Sequence, residues 1–192
     1  MARRSRIWSA FLCLIASLLY ATPALAAPPD DAGLVDAAAH GDTTRITRLL
    51  ASGGSVNAVV PGRDGFDLTP VAAAVLHDHL PAVKLLVAHG ADLESHSYAG
   101  QTPLLLAARY DHREIAEFLI ARHADLNARP ADGLTPLMYA ALNGDMALVK
   151  LLVKVHADMS VMTSYDETAA RLAKASGHMD IMKFLKSAGE KK

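Results

Sequence analysis

Residues 132–159, DGLTPLMYAALNGDMALVKLLVKVHADM, hold one complete structural unit. Thr135 is an N-cap residue whose side-chain oxygen accepts a backbone N–H. Pro136 follows at the first helical position, where its fixed φ suits a helix and its missing N–H costs nothing. The pair starts a helix over Pro136–Leu142. Small Ala140 and Ala141 let a second helix approach closely, Gly144 makes a short turn, and the apolar residues beyond it recur at helical spacing.

The same unit recurs along the chain. Thr69-Pro70, Thr102-Pro103 and Thr135-Pro136 stand 33 residues apart, and Thr168-Ala169 continues the spacing. Leu86, Leu119, Leu152 and Leu185 keep that register, as do Ala91, Ala124 and Ala157, then Asp92, Asp125 and Asp158. First helices are predicted over Pro70–Leu76, Pro103–Tyr110, Pro136–Leu142 and Ala169–Ala175. Turns are predicted around Asp78, Asp111, Gly144 and Gly177. The second-helix positions Val83, Leu85 and Leu86, and Ile115, Phe118 and Leu119, are predicted to face the core.

The Thr-Pro-Leu start, Ala-Ala pair, central Gly, Leu-Leu pair and Ala-Asp exit of residues 132–159 resemble the ankyrin repeat. So does residues 68–93, LTPVAAAVLHDHLPAVKLLVAHGADL. The resemblance implies an all-α solenoid of about five helix-turn-helix repeats joined by β-hairpin-like loops. It assigns the repeats to residues 34–57, 65–95, 98–128, 131–161 and 164–189. The first unit lacks Thr-Pro but keeps Ala37-Ala38, Gly41, Leu49-Leu50 and Gly53, as an amino-terminal cap. The last replaces Pro and Leu by Ala169 and Ala170 and exposes Arg171, Lys174, Lys183 and Lys186, as a carboxy-terminal cap.

Two departures stand out. Asn57 to Thr69 is 12 residues where Glu94 to Thr102 and Asn127 to Thr135 are 8, so an insertion of four residues, in a stretch with Val59, Val60, Pro61, Arg63 and Phe66, lengthens the first connection. The glycine that ends helix two at Gly53, Gly90 and Gly189 gives way to His123 and His156, where a left-handed backbone costs a side chain about 1 kcal/mol.

Composition agrees with a single helical domain. The chain has 192 residues, 52% hydrophobic and 20% charged, with only 5% aromatic residues. Ahead of the repeats stands a segment that reads as a leader rather than as fold. Arg3, Arg4 and Arg6 precede an apolar run from Ile7 to Tyr20, and small residues at Ala24 and Ala26 mark a signal cleavage site after residue 26. Residues 1–26 are therefore expected to be a signal peptide, 27–33 a short linker and 190–192 a tail. The apolar run is shorter than a membrane span of about 20 residues needs. Arg3-Arg4 also leaves twin-arginine export open, although the residues after it match that signal poorly. The single cysteine, Cys13, would leave with the leader. Losing three arginines leaves 16 basic against 20 acidic residues, a net charge of −4, which argues against nucleic acid as a partner. The expected location is periplasmic or secreted, without stable membrane insertion after cleavage.

Catalytic and metal chemistry find little support. There is no G-x-S-x-G, H-E-x-x-H, C-x-x-C or G-x-x-x-x-G-K-[ST]. Nine histidines invite a metal hypothesis, with His77 and His79 in an H-x-H and His79, His112 and His178 at one repeat position. Equivalent histidines in neighbouring repeats, however, stand about a helix diameter apart. No cofactor and no metal are expected, and a histidine-based metal-binding protein is kept only as an alternative.

Binding is the remaining class, and the resemblance implies where it occurs: at the loop tips and the exposed inner face of helix one. The tips supply Phe66, His96, Tyr98, Gln101, Arg129, Asp132, Leu134, Met162 and Tyr165. The inner face supplies Leu76, His77, Arg109, Tyr110, Leu142 and Asn143. Tyr, Arg, Met and Phe are the residue types that anchor interfaces. Lys84, Glu117, Lys150 and Lys183, on the outer face of helix two, are read as solvated charges. The expectation is a monomeric, non-catalytic module that binds a protein in the periplasm, the alternative being a secreted effector that engages a host protein.

Overall fold

The computed structural model describes residues 30–61, 66–97, 100–130 and 132–189. The leader with Ala24 and Ala26, linker residues 27–29, Arg63, Tyr98 and the tail lie outside the described residues.

Ten helices among the described residues form five helix-turn-helix pairs. They are α1 Asp31–Ala39 with α2 Thr43–Ala51, α3 Pro70–Leu76 with α4 Leu80–Ala88, α5 Pro103–Arg109 with α6 Arg113–Ala121, α7 Pro136–Asn143 with α8 Met146–Lys154, and α9 Ala169–Ala175 with α10 Met179–Gly189. Two predicted ends shift by one residue. Tyr110 closes α5 as its C-cap, and Asn143 extends α7 up to Gly144 at φ 80°.

Each Thr-Pro does what its chemistry requires. Thr69, Thr102, Thr135 and Thr168 stand extended before their helices and accept the backbone N–H of Ala72, Leu105, Met138 and Arg171 at 3.3 to 3.4 Å. Alanine then lets the layers close: Ala72, Ala73, Ala74, Ala107, Ala108, Ala140 and Ala141 are buried, and α1, α3, α5, α7 and α9 pack successively on one another. The second helices contribute Ile46, Val83, Leu86, Ile115, Leu119, Leu148, Leu152 and Ile181 to the same continuous core.

The turn between the paired helices needs a left-handed residue in every repeat. Gly41, Asp78, Asp111, Gly144 and Gly177 fill it, at φ between 57° and 85°. His123 at φ 64° and His156 at φ 70° carry the strain foreseen at the ends of α6 and α8.

A hydrogen-bond ladder joins the repeats beyond the second helices. The side-chain oxygens of Asn57, Glu94 and Asn127 accept the backbone N–H of Asp92, Asp125 and Asp158 in the next repeat at 2.8 to 2.9 Å. Each of those aspartates in turn accepts the N–H two residues further on, at 2.8 to 2.9 Å. The recurring Asp is thus a joint between repeats.

The connecting loops are hairpin-like. The insertion carries the one strand pair among the described residues, β1 Val60–Pro61 antiparallel to β2 Asp67–Leu68, with Val60 opposite Leu68. Val60, Pro61 and Leu68 lie along α1 beside Val35 and Ala39. The long connection therefore helps to cover the first helix.

Candidate partner-binding surface

The repeat places predicted residues in columns. Phe66, Asp132 and Tyr165 share one loop position, His96, Arg129 and Met162 a second, and Leu76, Arg109 and Leu142 a third at the ends of the first helices. His77, Tyr110 and Asn143 form a fourth. Large apolar side chains collect on these loops and helix ends: Tyr165 is 82% exposed, Met162 50%, Phe66 43% and Tyr110 40%. The outer face of the second helices instead exposes Lys84, Glu117, Lys150 and Lys183. His77, His96, Arg109 and Arg129 are exposed as expected, and His77 stacks on His79 with ring centroids 6.4 Å apart.

Several expected contact residues serve the fold instead. Gln101 is only 1% exposed, which corrects its assignment to the binding surface. It follows Gly100 and so reads as a loop tip, but it occupies the position of Leu68, Leu134 and Glu167, the descending arm that folds back against the stack. Leu76, Leu134 and Leu142 are half-buried and pack on the core. Asn143 is exposed, yet its amide donates to the Ala108 and Arg109 carbonyls at 2.9 and 3.1 Å, closing the open end of α5.

The polar centre of the surface is Tyr139, which sequence reasoning missed. It occupies the core column of Ala73, Leu106 and Leu172, where a phenol must find partners for its hydroxyl. The hydroxyl donates to Asp132 Oδ2 at 2.5 Å and accepts from Gln101 Nε2 at 3.3 Å. Asp132 Oδ1 meanwhile accepts the Leu134 N–H at 3.1 Å. Burial first, and the Asp132 hydrogen bond second, push the phenol well above the ordinary tyrosine value. The Arg109 guanidinium stands 5.9 Å from the Tyr139 ring centroid and 5.7 Å from that of Tyr110. Arg129 donates to the Met162 carbonyl at 2.9 Å, tying one loop to the next. A tyrosine in a column of Ala and Leu was the available signal for this cluster.

Two of the histidines perform a structural task. His79 Nε2–H donates to the Ala39 carbonyl and His178 Nε2–H to the Leu142 carbonyl, each at 3.1 Å and each capping the first helix of the preceding repeat. Both rings lie over a turn glycine: a Cβ on Gly41 would come within 2.8 Å of His79, and one on Gly144 within 2.5 Å of His178. Beside His112 the turn residue is Asp78, which has a side chain. There Nδ1 faces the Asp78 carboxylate at 3.5 Å, and the buried Nε2 has no partner among the described residues. In the other two repeats an aspartate takes the histidine's place: Asp42 caps α2, and Asp145 caps α8 and holds Arg113 through two contacts of 2.8 Å. That hydrogen bond, and then the charge of Asp145, raise the Arg113 guanidinium above its ordinary value. Among the described residues no group of three or more His, Cys, Asp or Glu side chains could hold a metal ion, and no helix is long and apolar enough to cross a membrane.

The family model of ankyrin repeats (3 copies) matches residues 34–130 and 123–192. No curated protein matches the chain.

Proposed function

The chain belongs to the ankyrin-repeat family, whose repeats are generic protein-protein interaction modules and generally non-catalytic, and from that premise we propose a monomeric binding module that acts in the periplasm. It captures a protein on the concave side of the stack, across the loop tips and the ends of the first helices. One observation carries this reading: Phe66, Tyr110, Met162 and Tyr165 are exposed there, while the opposite face carries charges. Large apolar and aromatic side chains stay in water at a cost that burial against a partner recovers. Capping threonines, capping histidines and the Asp ladder hold these residues on a rigid frame, so little order is lost on binding.

The periplasmic part rests on the leader-like residues 1–26. Affinity capture from periplasmic extract tests both parts together. The processed chain should retain a discrete protein, and changing Arg109 and Tyr110 together to Ala should abolish retention without altering the helical circular dichroism. Recovery of the chain only from culture medium would instead favour a secreted effector that binds a host protein.

A further inference from the structure

We propose that Arg109 is a carboxylate-binding point on this surface, and that the partner presents an extended acidic segment with apolar neighbours. The inference rests on the binding reading above and specifies the chemistry of what is bound.

Arg109 is positioned but not neutralised. The rings of Tyr110 and Tyr139 stand near it, and Tyr139 is itself fixed by Asp132 and Gln101. Among the described residues the guanidinium has no ion pair and no side-chain hydrogen bond, so its N–H fork remains free. The carboxylate that shares its phenol, Asp132, has both oxygens engaged, one by the Tyr139 hydroxyl and one by the Leu134 N–H. Arg129 donates to a carbonyl only, at Met162, and likewise has no carboxylate partner among the described residues. Arg45 and Arg113 differ in being paired with Asp36 at 2.6 Å and Asp145 at 2.8 Å, and of the described arginines without a carboxylate, Arg109 is the one set against two rings, Arg122 lying over Phe118 alone.

A planar fork with free donors matches a carboxylate through two parallel hydrogen bonds, and stacking on a ring lowers the ordering cost. Tyr110 supplies apolar contact beside it, and Met162 and Tyr165 are exposed on a later loop. The occupant is therefore a protein segment rather than a polyanion: 19 basic against 20 acidic residues give the chain no general attraction for nucleic acid and leave recognition to local pairing.

The test uses the full chain, purified as the cell processes it, and synthetic nonapeptide pools. Each pool has Glu, Gln or Lys fixed at the centre and mixed Ala, Leu, Tyr and Ser around it. The Glu pool should be retained about tenfold more than the Gln pool, and the Lys pool least. Arg109→Gln should remove the preference for Glu, Arg109→Lys should restore only part of it, and Lys84→Gln on the outer face should leave it intact. Equal retention of the Glu and Gln pools, no retention of either, or a preference that survives Arg109→Gln overturns the proposal. If the chain still captures a protein through Tyr110 and Tyr165 while Arg109→Gln has no effect, the binding reading stands and the carboxylate subsite falls.

Discussion

At the scale of single residues, the molecule turns on what each repeat position permits. A histidine can cap the helix of the preceding repeat when it lies over glycine, as His79 does over Gly41 and His178 over Gly144. Asp78 denies His112 that arrangement and adopts a left-handed φ of 57° itself. Asp78→Gly should relieve both and raise stability by about 1 kcal/mol, read by urea unfolding. A loss of stability would mean that the Asp78 contact with His112 outweighs them. Tyr139 gives the second prediction. Its folded-state phenol deprotonates above the unfolded chain's value of about 10, so its contribution is intact below that pH and is lost as pH rises from there toward the folded value. Tyr139→Phe should cost about 1 to 2 kcal/mol at neutral pH, by removing the hydroxyl that Asp132 Oδ2 and the Gln101 amide share, and should flatten the alkaline loss of stability.

At the scale of elements, the sequence made the helices legible because Thr and Pro specify a helix start by local chemistry alone. Thr135→Ala should cost about 1 kcal/mol, measured by thermal unfolding, because the Met138 N–H then lies buried without an acceptor. Turns were equally legible, since a left-handed residue is a local demand and Gly144 and Gly177 announce it. The loops were read less well, and for a physical reason. Gln101 and Tyr165 both stand near a loop apex in sequence, yet one is buried and the other almost fully solvated. Which arm folds back against the stack depends on neighbours about 33 residues away, such as Leu68 and Leu134, and no local pattern encodes it. Tyr139 was passed over because its helix position reads as core, and its hydroxyl acquires a role only when Asp132 and Gln101 come round to meet it.

At the scale of the whole molecule, the 33-residue period is both the sequence signal and the structural repeat distance, so the architecture followed from spacing. The ladder from Asn57, Glu94 and Asn127 to the next repeat's aspartates, and the inner alanines that let the first helices close up, make the stack one continuous frame. That frame sets the exposed Tyr110, Met162 and Tyr165 on the loops and first-helix ends, and Lys84, Glu117, Lys150 and Lys183 on the second helices. The account's central claim is that a protein partner docks on the tip side. Photo-crosslinking in the producing cell tests it most directly, with a benzophenone side chain placed in turn at positions 110, 165, 84 and 150. Replacing Tyr110 or Tyr165 should yield the same discrete crosslinked protein, and replacing Lys84 or Lys150 should yield none. Crosslinks from the lysine positions alone, or equally from all four, would contradict it.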